Sequence, residues 1–302
     1  MTAPEEDLPA VARRRVRLAL RRARDERGSS QGEIARELGW SLSKLQRIEL
    51  GDVAVSPADV RVLLSCYGIG DEQLINRLVS DAKVARRERY WAEMENRHLL
   101  RPVVRQLMQF EEAATSVSVF QPQVVPGSLQ TPETVHTILD RWRASHTDEE
   151  SRALAESRAR RRRLLTEESG APEYRLLLDE CVLQRVIGGY RTAAEQWDEV
   201  ARVAERPNVR IRLLPAGEGA FAGAMGGFSL MQLDPNDSSD AVLYVESFLS
   251  GEIIQAGTTV EIYRKYFEEF WARALDETAT TYAIRARAFA LHAEHARGQG
   301  GQ

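Results

Sequence analysis

The sequence is poor in the features that mark secreted, membrane and metal-bound proteins. It has only two cysteines, Cys66 and Cys181, far apart, which speaks against a disulfide framework and for a reducing compartment. Both lie among apolar neighbours, so both are expected as buried thiols. No apolar run approaches the length that a bilayer span needs. Glu5, Glu6 and Asp7 precede any apolar stretch, unlike a signal peptide. The chain is therefore expected in the cytoplasm, away from membranes. Histidine is scarce too, and only His292 and His295 have ligand-like spacing, in a polar tail where no metal is expected. Asp179-Glu180 beside Cys181 reads as a helix cap favouring the dipole, not as catalytic machinery. No enzymatic activity and no cofactor are expected.

What is present is ordinary in bulk and uneven in detail. The 302 residues are 43% hydrophobic and 28% charged, enough for two domains with real cores. The net charge of −4 conceals an asymmetry. Residues 1–89 carry 17 Lys/Arg against 14 Asp/Glu, and the rest 24 against 31. A mildly basic front on an acidic body is compatible with a DNA-binding module at residues 1–89 and a regulatory or dimerisation domain at 90–302. No Gly/Ser linker separates them near Tyr90-Trp91.

The front half reads as five short helices. The first runs from about Ala10 to Arg27, with Ala12, Val16, Ala19, Leu20 and Ala23 on one face and arginines on the other. That second face is expected to be solvated or to lie against phosphates. Ser30 and Glu33 form a capping box for the second helix. Ser41 caps the third, whose buried stripe is Leu42, Leu45 and Ile48, with Trp40 behind it and Gly51 as its left-handed stop. Ser56-Pro57 opens the fourth and Asp71 the fifth. The third helix has few acidic groups on its polar face, which suits the DNA major groove.

Ser30-Gln31, Ile34-Ala35, Leu38-Gly39, Ser41-x-Ser43-Lys44-Leu45 and Arg47-Ile48-Glu49-x-Gly51 together resemble the lambda-repressor-like (XRE-type) helix-turn-helix family, across about Arg13–Val79. The resemblance implies a DNA-binding site of Gln31, Ser41, Leu42, Ser43, Lys44, Gln46 and Arg47. Gln31 would contact phosphate and brace the third helix, and Leu42, Ser43, Gln46 and Arg47 would face bases. Lys44 is expected at phosphate. Leu50 stands where Asn is often found, which puts a phosphate contact there in doubt.

The back half alternates helix and strand signals, so the whole is an α+β protein: a five-helix domain followed by a larger one with a small sheet flanked by helices. Val125-Pro126-Gly127-Ser128 has the composition of a type II turn. Thr192-x-x-Glu195 reads as a capping box. Arg158, Arg160, Arg161, Arg162 and Arg163 cluster on one helix, a second DNA contact or a dock for an acidic partner against the blander reading of a solvated or internally paired face. Gly217–Gly227 is glycine-rich without a P-loop lysine and suggests a mobile loop beside a pocket or interface.

Val125 to Pro132, Arg158 to Leu165, Leu178-Asp179-Glu180, Arg206 to Val209, Leu214-Pro215, Gly227-Phe228 and Tyr244-Val245-Glu246 resemble the C-terminal domain of actinobacterial Scr1-type antitoxin-like regulators. The helix-turn-helix with a large second domain, which can hold two readers in fixed register, suggests a dimeric repressor acting on double-stranded DNA, and the resemblance implies a role in development or secondary metabolism. It also implies an alternative, an antitoxin-like protein that binds a small acidic protein and autoregulates its operon. A ligand-sensing regulator is the third reading.

Overall fold

The computed structural model describes residues 8–86, 97–141, 146–167, 169–218, 222–237, 240–247, 251–255 and 257–299. The chain divides into two compact units, Met1–Glu95 and Asn96–Gln302. The expected join at Tyr90-Trp91 lies outside the described residues.

In the first unit, side-chain caps start four of the five helices. These are α1 (Pro9–Glu26), α2 (Gln31–Glu37), α3 (Leu42–Leu50), α4 (Pro57–Cys66) and α5 (Glu72–Val84). Ser30 and Glu33 cap reciprocally, and the Ser41 hydroxyl accepts from the Lys44 amide at 3.2 Å. Ser56 accepts from Asp59 at 3.0 Å, and Asp71 from Gln73 and Leu74. Each satisfies an amide that the helix leaves open. Gly51 ends α3 at φ +85. Val16, Leu20, Ile34, Leu45, Leu63 and Leu64 fill the shared core, each worth roughly 1.5–3 kcal/mol of burial.

The second unit is built on a mixed sheet flanked by helices, as the sequence suggests. Its elements are α6 (Pro102–Ala113), β1 (Ser116–Gln121), α7 (Pro132–Arg141), α8 (Asp148–Thr166), β2 (Glu173–Asp179) and α9 (Gly189–Val203). There follow β3 (Val209–Leu214), β4 (Phe228–Gln232), β5 (Ala241–Glu246), β6 (Gly251–Ile254), α10 (Thr258–Arg273) and α11 (Glu277–Gln299). Six strands run in the order β3-β2-β1-β4-β5-β6. β1, β2 and β3 are parallel, because helical crossovers join them, and β4, β5 and β6 are antiparallel. On one face Phe120, Leu177, Leu214 and Phe228 pack against Val260, Phe267 and Phe270 of α10. Arg175 and Arg212 lie over the Trp271 ring at 4.4 and 4.8 Å. On the other face the buried Tyr174 hydroxyl lies 3.4 Å from that of Ser128.

Three local expectations are corrected. Gly127 has no positive φ, so 125–128 is not a type II turn. Gly127 instead begins a 3-10 turn through Leu129. A Cβ there would come within 3.1 Å of Arg158 Nε, so close approach explains this glycine. Thr192 and Glu195 do not form a capping box, because α9 starts three residues earlier behind Gly188 at φ +75. Glu195 pairs with Arg191 at 2.8 Å. Asp179 caps only a 3-10 turn, Glu180–Gln184, accepting from the Cys181 amide. Among the described residues no helix is long and apolar enough to cross a membrane.

Candidate nucleic-acid interface

The α2–turn–α3 segment sorts its side chains into two sets. Leu45 is fully buried and Ile48 nearly so, both in the core of the first unit. Leu42, Ser43, Gln46, Arg47 and Leu50 are exposed together on the opposite side, as the helical period requires. Leu42 is 44% exposed, so it leaves the expected buried stripe and joins the outward set. Ser41 stays exposed as the cap.

The sequence gives no hint of what fixes the orientation of α3. Glu49 is 4% exposed, and both its oxygens accept from Arg24 of α1, at 2.6 and 2.8 Å. Gln31 Nε2 of α2 donates to the same carboxylate at 2.8 Å, and Arg24 Nη1 donates to the Ser29 carbonyl at 2.9 Å. One buried carboxylate thus ties α1, α2 and α3 together. The bond to Glu49 holds the Arg24 pKa above the ordinary arginine range, against the opposing effect of burial. Burial, and then the charge of Glu49, push the Tyr67 phenol up, so it stays neutral. Gln31 therefore braces the third helix through Glu49.

Lys44 is engaged within its own unit. Its ammonium sits 3.4 Å from the centre of the Trp40 ring and 3.3 Å from Asp59. The half-buried Trp40 packs against the core and stacks under that cation. The arginine face of α1 is also largely turned inward. Arg14, Arg17 and Arg24 are buried, and Arg15 meets Asp81 at 2.8 Å. Arg21 and Arg22 are the exposed ones among the arginines of α1. Arg17 Nη1 donates to the Leu50 carbonyl at the end of α3, at 3.3 Å. Burial, then Arg14 and Arg21, bring its pKa down to about 10, so it remains charged at neutral pH.

The arginine cluster of α8 is not an open patch. Arg161 forms two bonds with the buried Glu111 of α6, at 2.6 and 2.7 Å. Burial opposes its charge, but Glu111 more than offsets that and raises its pKa. Arg162 pairs with Glu199 and with Glu167, and Arg160 lies 3.5 Å from Glu112. Arg158 Nη1 donates to Gln130 Oε1 at 2.9 Å, and burial lowers its pKa to about 10. Arg163 alone of the five is exposed. The blander reading of an internally paired face holds for the other four, whose guanidinium groups meet Glu111 and Glu112 of α6, Glu199 of α9 and Gln130.

Residues 219–221 of the glycine-rich segment lie outside the described residues. An open pocket of about 320 Å³, solvent in its mouth included, lies past the carboxyl ends of β1 and β2. Val125, Val182, Ile187, Ala193 and Trp197 give it apolar walls, and the exposed Arg185 stands at its rim. Gln130 and Gln196 also line it, but their amides fix the neighbouring loop by bonds to Val125, Leu129 and Thr131. Crevices at this end of parallel strands are the usual ligand sites of such sheets.

The remaining candidates resolve into structural parts. Cys181 is exposed and Cys66 half-buried, so the expectation of two buried thiols fails. Cys181 sits on a surface 3-10 turn, and the Cys66 thiol donates to Glu37 at 3.3 Å. His292 bonds Asp198 at 2.8 Å and His295 bonds Gln299. Among the described residues no group of three or more His, Cys, Asp or Glu is placed to hold a metal.

Two family models match the chain, one in each unit. Residues 16–78 match a helix-turn-helix domain, which points to a DNA-binding regulator. No curated protein and no solved structure matches the chain. Residues 104–286 match a second family model, and because that stretch is more than half of the 302 residues, the chain belongs to the family described as a domain of unknown function (DUF5753).

Proposed function

We propose that the protein is a sequence-specific transcriptional regulator of the XRE type, a dimeric repressor that reads double-stranded DNA with α3. The observation that carries this reading is the split of α3. Leu42, Ser43, Gln46 and Arg47 stand exposed on one side, while Leu45, Ile48 and Glu49 are buried on the other. A helix held by a buried carboxylate presents its outer residues in fixed orientation, which base readout needs. Gln46 can bond adenine, Arg47 can fork onto guanine, and Leu42 can touch a thymine methyl. With Lys44 held by Asp59 and Trp40, its share in phosphate binding is smaller than its charge suggests. Action in development or secondary metabolism is the role that the resemblance favours. Selection of bound sites from random duplexes tests the reading: one recurrent motif supports it, and coverage without any motif overturns it.

The antitoxin-like alternative loses the surface that motivated it, since four of the five α8 arginines are turned inward. A ligand-sensing role is favoured by the apolar pocket past β1 and β2, with Arg185 at its mouth. Ala193→Leu would fill that pocket. It should abolish any effector-dependent change in DNA affinity and leave effector-free binding intact.

A further inference from the structure

Helix α11 is apolar on two opposite faces, and among the described residues only one of them has a partner. Thr280, Ile284, Ala288 and Leu291 are buried, the helix lies against α9 and β3, and the Thr280 hydroxyl accepts from the Leu213 amide at 3.0 Å. On the far side stand Ala279, Tyr282, Ala286, Phe289, Ala293 and Ala296. Their spacing alternates three and four residues, the seam of a coiled coil. Tyr282 is 78% and Phe289 77% exposed, the most exposed large hydrophobics among the described residues. Tyr282 and Leu291 are nine residues apart, which at 3.6 residues per turn places them on opposite sides of the helix. An ordinary surface helix hides one stripe and wets the other; this one leaves two rings in water.

We propose that this outer face is a self-association seam, pairing antiparallel with α11 of a second copy about a two-fold axis between Arg287 and Ala288. The proposal deepens the reading of the chain as a dimeric DNA-binding regulator and rests on it for its purpose. Size alternation selects the orientation. Run antiparallel, Tyr282 meets the partner subunit's Ala293, Phe289 meets the partner subunit's Ala286, and Ala279 meets the partner subunit's Ala296. Every ring then faces a methyl group, so the four central layers are similar in thickness, with a thinner alanine–alanine layer at each end. Run parallel, rings would abut rings and alanines alanines, which forces gaps between thick layers.

Charge points the same way. The first turn of the helix is preceded by Asp276, which caps it by accepting from the Ala279 amide at 2.7 Å, and the last turn carries the exposed Arg297. Antiparallel pairing sets Arg297 beside the partner subunit's Asp276 and opposes the two helix dipoles. Arg285 and His292 flank the seam and would approach each other across it. Each already has an acid of its own chain, Glu205 at 2.7 Å and Asp198 at 2.8 Å, so neither side chain meets the other bare. The seam spans about 26 Å at 1.5 Å per residue. Four rings contribute about 600 Å² in total, and the alanines and flanking stems bring the area toward the ~1,000 Å² of a specific interface.

Sedimentation equilibrium of the full chain tests the seam. The wild type should sediment at twice the chain mass, and Phe289→Glu or Tyr282→Glu should weaken the dimer at least a hundredfold with an unchanged circular dichroism spectrum, since both side chains are exposed. In a Cys66→Ser, Cys181→Ser background, Tyr282→Cys mixed with Ala293→Cys should give a mixed disulfide under mild oxidation, while neither variant alone cross-links. A monomeric wild type overturns the proposal. So does a dimer indifferent to both glutamates, which would place the contact elsewhere, or a disulfide from Tyr282→Cys alone, which would mean parallel helices. Capture by lipid vesicles with no dimer in solution would assign the face to a membrane and overturn it too. DNA titrations keep the two readings apart. Phe289→Glu should retain single half-site preference and lose cooperative binding to paired half-sites. A wild-type dimer without sequence preference on any duplex would remove the DNA reading and leave the seam standing.

Discussion

Glu49 lies two residues from the exposed Arg47, yet it is almost wholly buried between Arg24 and Gln31. Removing a buried partner leaves the other charge uncompensated, so Glu49→Ala should destabilise the first unit by about 3–5 kcal/mol. Denaturant unfolding followed by circular dichroism checks this, and a loss below about 1 kcal/mol would mean that α3 is held by its apolar side alone. Lys44→Ala, by contrast, removes a half-exposed contact to Asp59 and Trp40. It should weaken preferred and random duplexes alike and leave base preference unchanged, as competition assays would show. The residue scale was only partly legible. The period of α3 marked Leu45 and Ile48 as inward. It misplaced Leu42, which sits in the first turn beyond the reach of the core, and it was silent on Glu49. A buried acid is legible only once its arginine is in place, and Arg24 is 25 positions away.

Elements were legible where their chemistry is local. The caps at Ser30, Ser41, Ser56 and Asp71 needed nothing beyond the next three amides, and each helix starts where they placed it. The start of α9 was misjudged because Gly188 opens the helix upstream of Thr192. The 125–128 turn was misjudged because the close approach of Arg158 decides the conformation there. The arginines of α8 illustrate the same limit, since a charge run does not announce which of its members face acids. Glu111→Ala should leave the half-buried Arg161 without its carboxylate and cost about 3–5 kcal/mol. Arg163→Ala, at the exposed end of the cluster, should stay within about 0.5 kcal/mol. Parallel thermal melts of the two variants check both. Equal effects would show that the cluster acts as one surface, contrary to the pairing described.

At the scale of the whole molecule, the alternation of strand and helix signals pointed to an α+β second unit, and the six-stranded mixed sheet is that. Its order was not legible, because β1 pairs with β4 across a sequence separation of more than a hundred residues that no local pattern records. Likewise the pocket past β1 and β2 gathers residues from four segments that no local pattern joins. If two copies present α3 in fixed register, protection of the bound DNA should fall in two half-sites about one turn, roughly 34–36 Å, apart, which hydroxyl-radical footprinting would resolve. Whether α3 reads bases at all is decided by titrating the wild type and Arg47→Ala against the selected duplex and a scrambled one at two salt concentrations. Arg47→Ala should lose about 1–3 kcal/mol on the selected duplex and much less on the scrambled one, while both proteins keep a similar salt dependence. Equal losses on the two duplexes, or a wild type without preference at either salt concentration, would contradict a reading helix at Leu42–Leu50.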